Sequence, residues 1–322
     1  MDQSNKNIDV ICIGRVGVDL YALEEGLDLH QVQTFQKSVG GTPANIAVGV
    51  ARLGGRAGLI SKISSDSFGR YLEQFLQENN CDISMVKKDP ERLNSLVFTE
   101  MKPDGCQVLF YRDNPADLNL QLEDISPEYI AQCRYLVISG TSLPESSSRS
   151  AILSSIQYAR KAKCKIVFDL DYRPSCWQDP YDASLYYQHI AEKSDILVGN
   201  IEEFQILGYS ADFHPDSLVK HWQGKVEILI EKKGSMGSTV HWHDQVIETP
   251  AFPCYVKKPF GAGDAYLSCF LHYLCQWGPE CLAEIATRAS ASAAIVIGER
   301  TCAEAMPSEM AIEQFLQKHL VS

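Results

Sequence analysis

Residues 135–170 read YLVISGTSLPESSSRSAILSSIQYARKAKCKIVFDL. Two short apolar runs, 135–139 and 165–170, flank a segment of helical character, 147–162. Neither run alternates between apolar and polar residues. A strand solvated on one face alternates, whereas a continuous apolar run suits a strand covered on both faces. Parallel strands joined through a helical crossover provide that cover. The same rhythm extends outward through the runs 10–13, 195–198 and 226–230, with helical segments at 185–193 and 202–207. The pattern predicts an α/β fold with a doubly wound, mostly parallel sheet.

Two regions break this rhythm. Residues 15–39 contain little that suits a long helix. Residues 94–113 hold two extended runs, SLVFTEMK and QVLFYRD, around the turn Pro103-Asp104-Gly105. An Asp-Gly turn between extended runs is a hairpin signal. These two regions are expected to form a small β-sheet standing off the main layer. Beside the strands' C-terminal edge it would act as a lid. The whole chain, 1–322, is read as a single domain.

Bulk properties narrow the class. The chain has 322 residues, 45% of them hydrophobic, and a formal charge of −12. No run approaches the ~18–20 apolar residues that span a bilayer. The first residues, MDQSNKNIDV, lack a basic start and an apolar stretch, so no secretory signal is read and a cytoplasmic location is expected. Net acidity disfavours nucleic acid as a partner, because phosphate backbones select basic patches. The 11 cysteines include no C-x-x-C pair and are expected as reduced, mostly buried thiols.

Four motifs carry chemistry. Gly261-Ala262-Gly263-Asp264 opens the helical run AYLSCFLHYLCQW. Backbone N–H groups converging at a helix start, together with its partial positive charge, make an anion hole. A carboxylate in the first turn can take a proton from an attacking hydroxyl. Taken alone, the string is also an ordinary helix start with one acidic residue. Gly40-Gly41-Thr42-Pro43-Ala44-Asn45 opens a helix expected over 44–53. Its glycines allow close backbone approach, and Asn45 offers both donor and acceptor to a hydroxyl. Asn200-Ile201-Glu202-Glu203 follows a strand end, where α/β sheets bind ligands. Glu203 there suits Mg²⁺ held through water, and Asn200 equally suits a helix N-cap. Lys232-Lys233-Gly234-Ser235-Met236-Gly237 follows another strand as a glycine loop able to cradle phosphates. The chain has no G-x-x-x-x-G-K-[ST] string, no H-R-D or D-F-G, and no complete dinucleotide fingerprint.

In this order and spacing the motifs resemble the ribokinase-like (PfkB) carbohydrate kinases, over nearly the whole chain. GGTPAN (40–45) and PFGAGDAY (259–266) stand where that family has its two signatures. The resemblance implies ATP and Mg²⁺ as nucleotide and metal. It implies Asp264 as base, with Gly261, Ala262 and Gly263 as the anion hole. Asn200 and Glu203 would organise Mg²⁺ and phosphates. Lys232, Gly234 and Gly237 would line the nucleotide loop, with Ser290 near the adenine. Asp19, Gly41 and Asn45 would hold sugar hydroxyls. Lid-to-lid homodimers, common in the family, are expected here too. One departure concerns a monovalent cation. Relatives usually carry Asp where this chain has Lys258, beside Pro259 and Phe260. A lysine cannot ligate K⁺, and its ammonium would take the same place, so activity is expected not to require K⁺.

The strings FYRDNPADLNL (110–120), DLDYRP (169–174), KPFGAGD (258–264) and CAEAMPS (302–308) are similar to one subfamily, the 5-dehydro-2-deoxygluconokinases of myo-inositol breakdown. A sugar acid as substrate also suits Arg112 and Arg173, because a guanidinium grips a carboxylate bidentately. Either arginine could instead pair with a neighbouring acid such as Asp113 or Asp171. On the same scaffold the alternatives are a 2-keto-3-deoxygluconate kinase or a fructokinase. A non-catalytic sugar- or nucleotide-binding regulator is the rival of another class, and it would have no use for Asp264.

Overall fold

A computed structural model describes residues 6–102, 106–211 and 215–320. In chain order the elements are β1 Ile8–Ile13, β2 Gly17–Ala22, β3 Phe35–Gly40, α1 Thr42–Arg52, β4 Ala57–Ser64, α2 Ser67–Glu78, β5 Val86–Asp89, β6 Leu96–Thr99 and β7 Val108–Tyr111. There follow α3 Pro127–Ile130, β8 Cys133–Ser139, α4 Ser146–Lys161, β9 Lys165–Asp169, α5 Pro180–Ala191, β10 Ile196–Asn200, α6 Ile201–Tyr209 and α7 Pro215–Trp222. The chain ends with β11 Ile228–Lys232, β12 Ser238–Trp242, β13 Gln245–Thr249, α8 Ala262–Trp277, α9 Leu282–Ile297 and α10 Glu309–Leu320.

Among the described residues a nine-stranded sheet runs in the order β13-β12-β11-β10-β9-β8-β1-β4-β5. From β5 to β11 every neighbouring pair is parallel, and β12 and β13 close one edge antiparallel. The apolar runs explain the two covered faces, since successive side chains point to opposite sides. Val10, Cys12, Val137, Val167, Val198 and Ile230 pack with α1, α8 and α9 on one face. Ile11, Ile13, Leu136, Ile138, Phe168, Leu197 and Leu229 pack with α4, α5 and α6 on the other. Helix α8 is buried along 265–274, lying between α1 and α9, so its apolar character all round is that of an interior helix.

The segments 15–39 and 94–113 contribute a second sheet, ordered β3-β2-β6-β7. Strands β2 and β3 are antiparallel, β2 and β6 parallel, and β6 and β7 antiparallel. The Pro103-Asp104-Gly105 turn lies outside the described residues, but the strands on either side pair as a hairpin would. Among the described residues no helix is long and apolar enough to cross a membrane. All 11 cysteines are free. Six are buried, while Cys106, Cys176, Cys275 and Cys281 are half-buried and Cys254 is exposed, so the expectation of buried thiols holds for six of them.

Candidate functional site

The parallel strands deliver their C-terminal ends along one edge, and that edge carries the polar side chains. Arg15 follows β1, Ser139 ends β8, Asp169 ends β9, Asn200 ends β10 and Lys232 ends β11. Register sets them side by side, with Ser139 opposite Asp169 and Asn200 opposite Lys232. A cavity of about 410 Å³ opens there. The small sheet roofs it with one face, because Asp19, Tyr21, Val97, Thr99, Val108 and Phe110 all line it. Alternation sends Leu20, Leu96, Phe98, Leu109 and Tyr111 to the opposite face.

Two helix starts point into this region. Helix α1 begins after Gly41, whose φ is +107°, and a Cβ there would stand 2.5 Å from the Arg15 carbonyl oxygen. Only glycine lets the chain turn so close. Helix α8 begins after Gly261 in the left-handed region, φ +81°, where a Cβ would meet the Cys302 sulfur at 2.7 Å. Asp264 lies in the first turn of α8 and opens onto the cavity. The Asn45 amide donates to Asp264 Oδ2 at 2.7 Å, so the two glycine motifs meet in one hydrogen bond. Burial, and then the charge of Asp171, push the Asp264 carboxyl up to about 6. The Asn45 bond, Lys232 and Arg173 act the other way. Asn45 Oδ1 is buried without a partner. A buried acceptor left open is costly unless a ligand donor meets it.

Around Asp264 stand further charges. Lys232 Nζ lies 3.0 Å from Asp169 and 3.7 Å from Glu203. Burial raises Asp169 above the ordinary carboxylate range, against the pull of Lys232. Asp171 accepts from the Ser139 and Thr141 hydroxyls at 3.0 and 3.2 Å and pairs with Arg173 at 2.8 Å. Its φ is +32°, a strained conformation of the kind that collects at functional sites. Glu203 Oε2 accepts from the Asn200 N–H while Asn200 Oδ1 accepts from the Glu203 N–H. That reciprocal cap is the other role weighed for Asn200. Among the described residues no three His, Cys, Asp or Glu side chains converge as a metal cage. A Mg²⁺ that keeps most of its waters and takes its remaining ligands from phosphate oxygens needs only one or two carboxylates, which Glu203 beside Asn200 can offer.

Both arginines chosen from the sequence line the cavity, and both are also paired. Arg173 leans on Asp171 but keeps its side chain 47% exposed, open to the cavity. Arg112 is tied to Asp117 at 2.6 Å and to the Thr141 carbonyl at 3.0 Å. Its acid is therefore Asp117 and not Asp113. Sequence reasoning missed Arg15, which pairs with Asp19 at 3.2 Å, and Tyr21, whose hydroxyl donates to Asp19 at 3.3 Å. It also assigned nothing to Asp169. The signal for Asp169 was present in DLD, two acids at the end of an apolar run.

A second cavity of about 540 Å³ adjoins the first. Gly234, Gly237, Ala262, Gly263 and Ser290 line it, with Phe252, Val256, Ala293, Ala294 and Ile297 as apolar wall. Ser290 Oγ is spent on the Pro250 carbonyl at 2.9 Å. An apolar slot beside a glycine loop and a helix N-terminus fits a purine with its phosphates. Beneath the Gly261 loop, Lys258 is completely buried, and its ammonium donates to the carbonyls of Phe260 at 2.7 Å and Val296 at 3.3 Å. Every predicted site residue thus falls on one of the two cavities, and Lys258 lies directly beneath them.

Comparison with known proteins identifies the family. The model of the pfkB family carbohydrate kinases matches residues 7–309. A 5-dehydro-2-deoxygluconokinase 1 of Bacillus cereus is 39% identical over 98% of this chain and 96% of its own. A 5-dehydro-2-deoxygluconokinase of Bacillus subtilis (strain 168) is 39% identical over 97% of each chain. Among solved structures, a putative ribokinase II from E. coli in complex with ATP and Mg²⁺ superposes with a TM-score of 0.88 at 22% identity, covering 97% of this chain and 100% of that one. The chain belongs to the pfkB family of carbohydrate kinases.

Proposed function

We propose that this protein transfers the γ-phosphoryl group of ATP to the 6-hydroxyl of 5-dehydro-2-deoxy-D-gluconate. The observation that carries the reading is Asp264, held by Asn45 in the first turn of α8 and lining the first cavity, while Ala262 and Gly263 of the same turn line the apolar one. The full-length similarity to proteins named 5-dehydro-2-deoxygluconokinase supports the choice of acceptor.

The acceptor lies in the roofed polar cavity. Asn45 Oδ1 and Asp19 accept hydrogen bonds from the acceptor's hydroxyls, and its carboxylate faces Arg173, with Arg112 and Arg15 further along the cavity. Three guanidiniums lining one cavity suit an acid better than a neutral hexose. The nucleotide occupies the apolar cavity, with Gly234 and Gly237 at the phosphates and Ser290 toward the base. Mg²⁺ would be carried by Asn200 and Glu203 through water and would neutralise phosphate charge. Asp264 orients the 6-hydroxyl and takes its proton as the new O–P bond forms. The amides of Gly261, Ala262 and Gly263 face the charge that develops on the phosphoryl oxygens. The second sheet serves as the lid, excluding water from the transfer.

The apolar outer face of that sheet supports a homodimer. Phe98 stacks edge-on with Phe35 and with Tyr111 at 5.3 and 5.4 Å, and Tyr111 is 61% exposed. A second copy covering this face would remove it from water.

In an ADP-release assay over a panel of sugars and sugar acids, 5-dehydro-2-deoxy-D-gluconate should give the highest kcat/KM. A higher value for 2-keto-3-deoxygluconate or fructose would reassign the substrate. Asp264→Asn should lower kcat by roughly 10²–10⁴, the range for a general base. The wild-type kcat/KM should fall as pH drops below about 6, where Asp264 gains its proton. A profile flat to pH 4.5, or a variant keeping more than about a tenth of the rate, would remove Asp264 from the role. Because the Lys258 ammonium already occupies the carbonyls beneath the loop, K⁺ added to a Na⁺-free buffer should change the rate little. A rise of about tenfold or more would overturn that. Sedimentation velocity should give the mass of two chains, and a monomer at assay concentrations would argue against the lid contact.

A further inference from the structure

Four residues line both cavities, namely Lys232, Gly234, Pro259 and Gly263. Two are glycines and one is a proline, so Lys232 alone brings a charge and side-chain donors to the seam. Among the described residues it is also the only charged one lining the apolar cavity. Its Nζ stands 3.3 Å from where a Cβ on Gly263 would be, directly over the first turn of α8. A group passing from nucleotide to acceptor must pass beside it.

The ammonium is held from the acceptor side. Lys232 ends β11 and Asp169 ends β9, with β10 between them. The lysine reaches back across the end of β10 to Asp169 Oδ1 at 3.0 Å, with Glu203 Oε2 at 3.7 Å. An ammonium has three donors, and among the described residues only Asp169 stands within hydrogen-bond distance, Glu203 at 3.7 Å being an ion-pair contact, so donors remain for a ligand. Its charge is secured by the same carboxylates, Asp169 first, which outweigh the cost of burial.

We propose that Lys232 is a catalytic residue that stays in contact with the phosphoryl group as it moves from the nucleotide to the acceptor, and that Asp169 is the positioning residue holding it at the seam. The inference rests on the sugar-kinase reading of the two cavities. In the transfer, the acceptor O–P bond forms and the bond from the γ-phosphorus to the bridging oxygen of ADP breaks. The hydroxyl proton goes to Asp264, and Lys232 keeps its own protons. Charge spreads over three equatorial oxygens in such a transition state. A compact ammonium on a flexible stem can follow those oxygens across the seam. Anchored at Asp169, it is already charged and stationed at the seam before the charge develops, so only a small shift of its stem is needed.

The test compares Lys232→Met, Lys232→Arg, Asp169→Asn and the double variant Lys232→Met/Asp169→Asn with wild type, using the acceptor that the wild-type enzyme prefers. Lys232→Met should lower kcat by roughly 10²–10³, the scale of a lost transition-state donor, with the acceptor KM near wild type. Lys232→Arg should recover part of the rate. Asp169→Asn should lower kcat less than Lys232→Met does. The double variant should be no slower than Lys232→Met, because Asp169 acts through the lysine. It also removes both charges of the pair, so it supplies the kcat measurement if Lys232→Met, with Asp169 unpaired, does not fold. A kcat above about a tenth of wild type in a folded Met variant would overturn the catalytic role. A double variant far slower than Lys232→Met would overturn the positioning role. A wild type that turns over no acceptor would sink the kinase reading and this inference together, whereas a retained rate beside an active wild type sinks the inference alone.

Discussion

Four carboxylates, from Asp169, Asp171, Glu203 and Asp264, meet at one edge of the main sheet and are held there by two cations, Lys232 and Arg173. Left to themselves, carboxylates this close and this buried would protonate or push apart. Lys232 bridges Asp169 and Glu203, and Arg173 holds Asp171. The balance leaves the cluster acidic, so an anionic nucleotide needs positive charge brought with it. It also leaves Asp264 with a raised affinity for protons, which suits the base role proposed for it.

The sheet makes this cluster possible. Parallel strands point their carboxyl ends the same way, so residues scattered from Arg15 to Lys232 arrive on one edge without any local signal to bring them there. Helix α8 then supplies what side chains cannot, a set of aligned backbone dipoles ending at Gly261–Asp264. Its burial against α1 and α9 fixes the aim of those dipoles. The second sheet divides its residues by the period of two. Polar, aromatic and aliphatic side chains roof the cavity, and a mostly apolar row of Leu20, Leu96, Phe98, Leu109 and Tyr111, with Lys37 opposite Leu20, faces away. The same stretch of chain thus lines the cavity with one face and presents a different face to solvent.

Much of this was legible in advance. The apolar runs fall on β1, β8, β9, β10 and β11 within a few residues, and the segments 15–39 and 94–113 do form the smaller sheet. The two glycine motifs marked the starts of α1 and α8. Less legible were Arg15, a single residue after a strand end with no motif around it, and Asp169, whose DLD string did not say which acid would meet Lys232. The choice of Asp117 as partner for Arg112 was equally hidden, because two acids lie within reach of Arg112 along the chain and only the path of the loop decides between them.

What the sequence determined by itself was periodicity and local chemistry: which segments are strands covered on both faces, where helices begin, and which residue types could bind phosphate or take a proton. Those follow from neighbours along the chain. What only the tertiary structure decided was adjacency. That the Asn45 amide would hold the Asp264 carboxylate, 219 residues away, and that Lys232 would reach Asp169 across the end of β10, depend on strand order and helix packing. Distances between residues far apart in the chain are set by which surfaces bury against each other, and no local pattern encodes them.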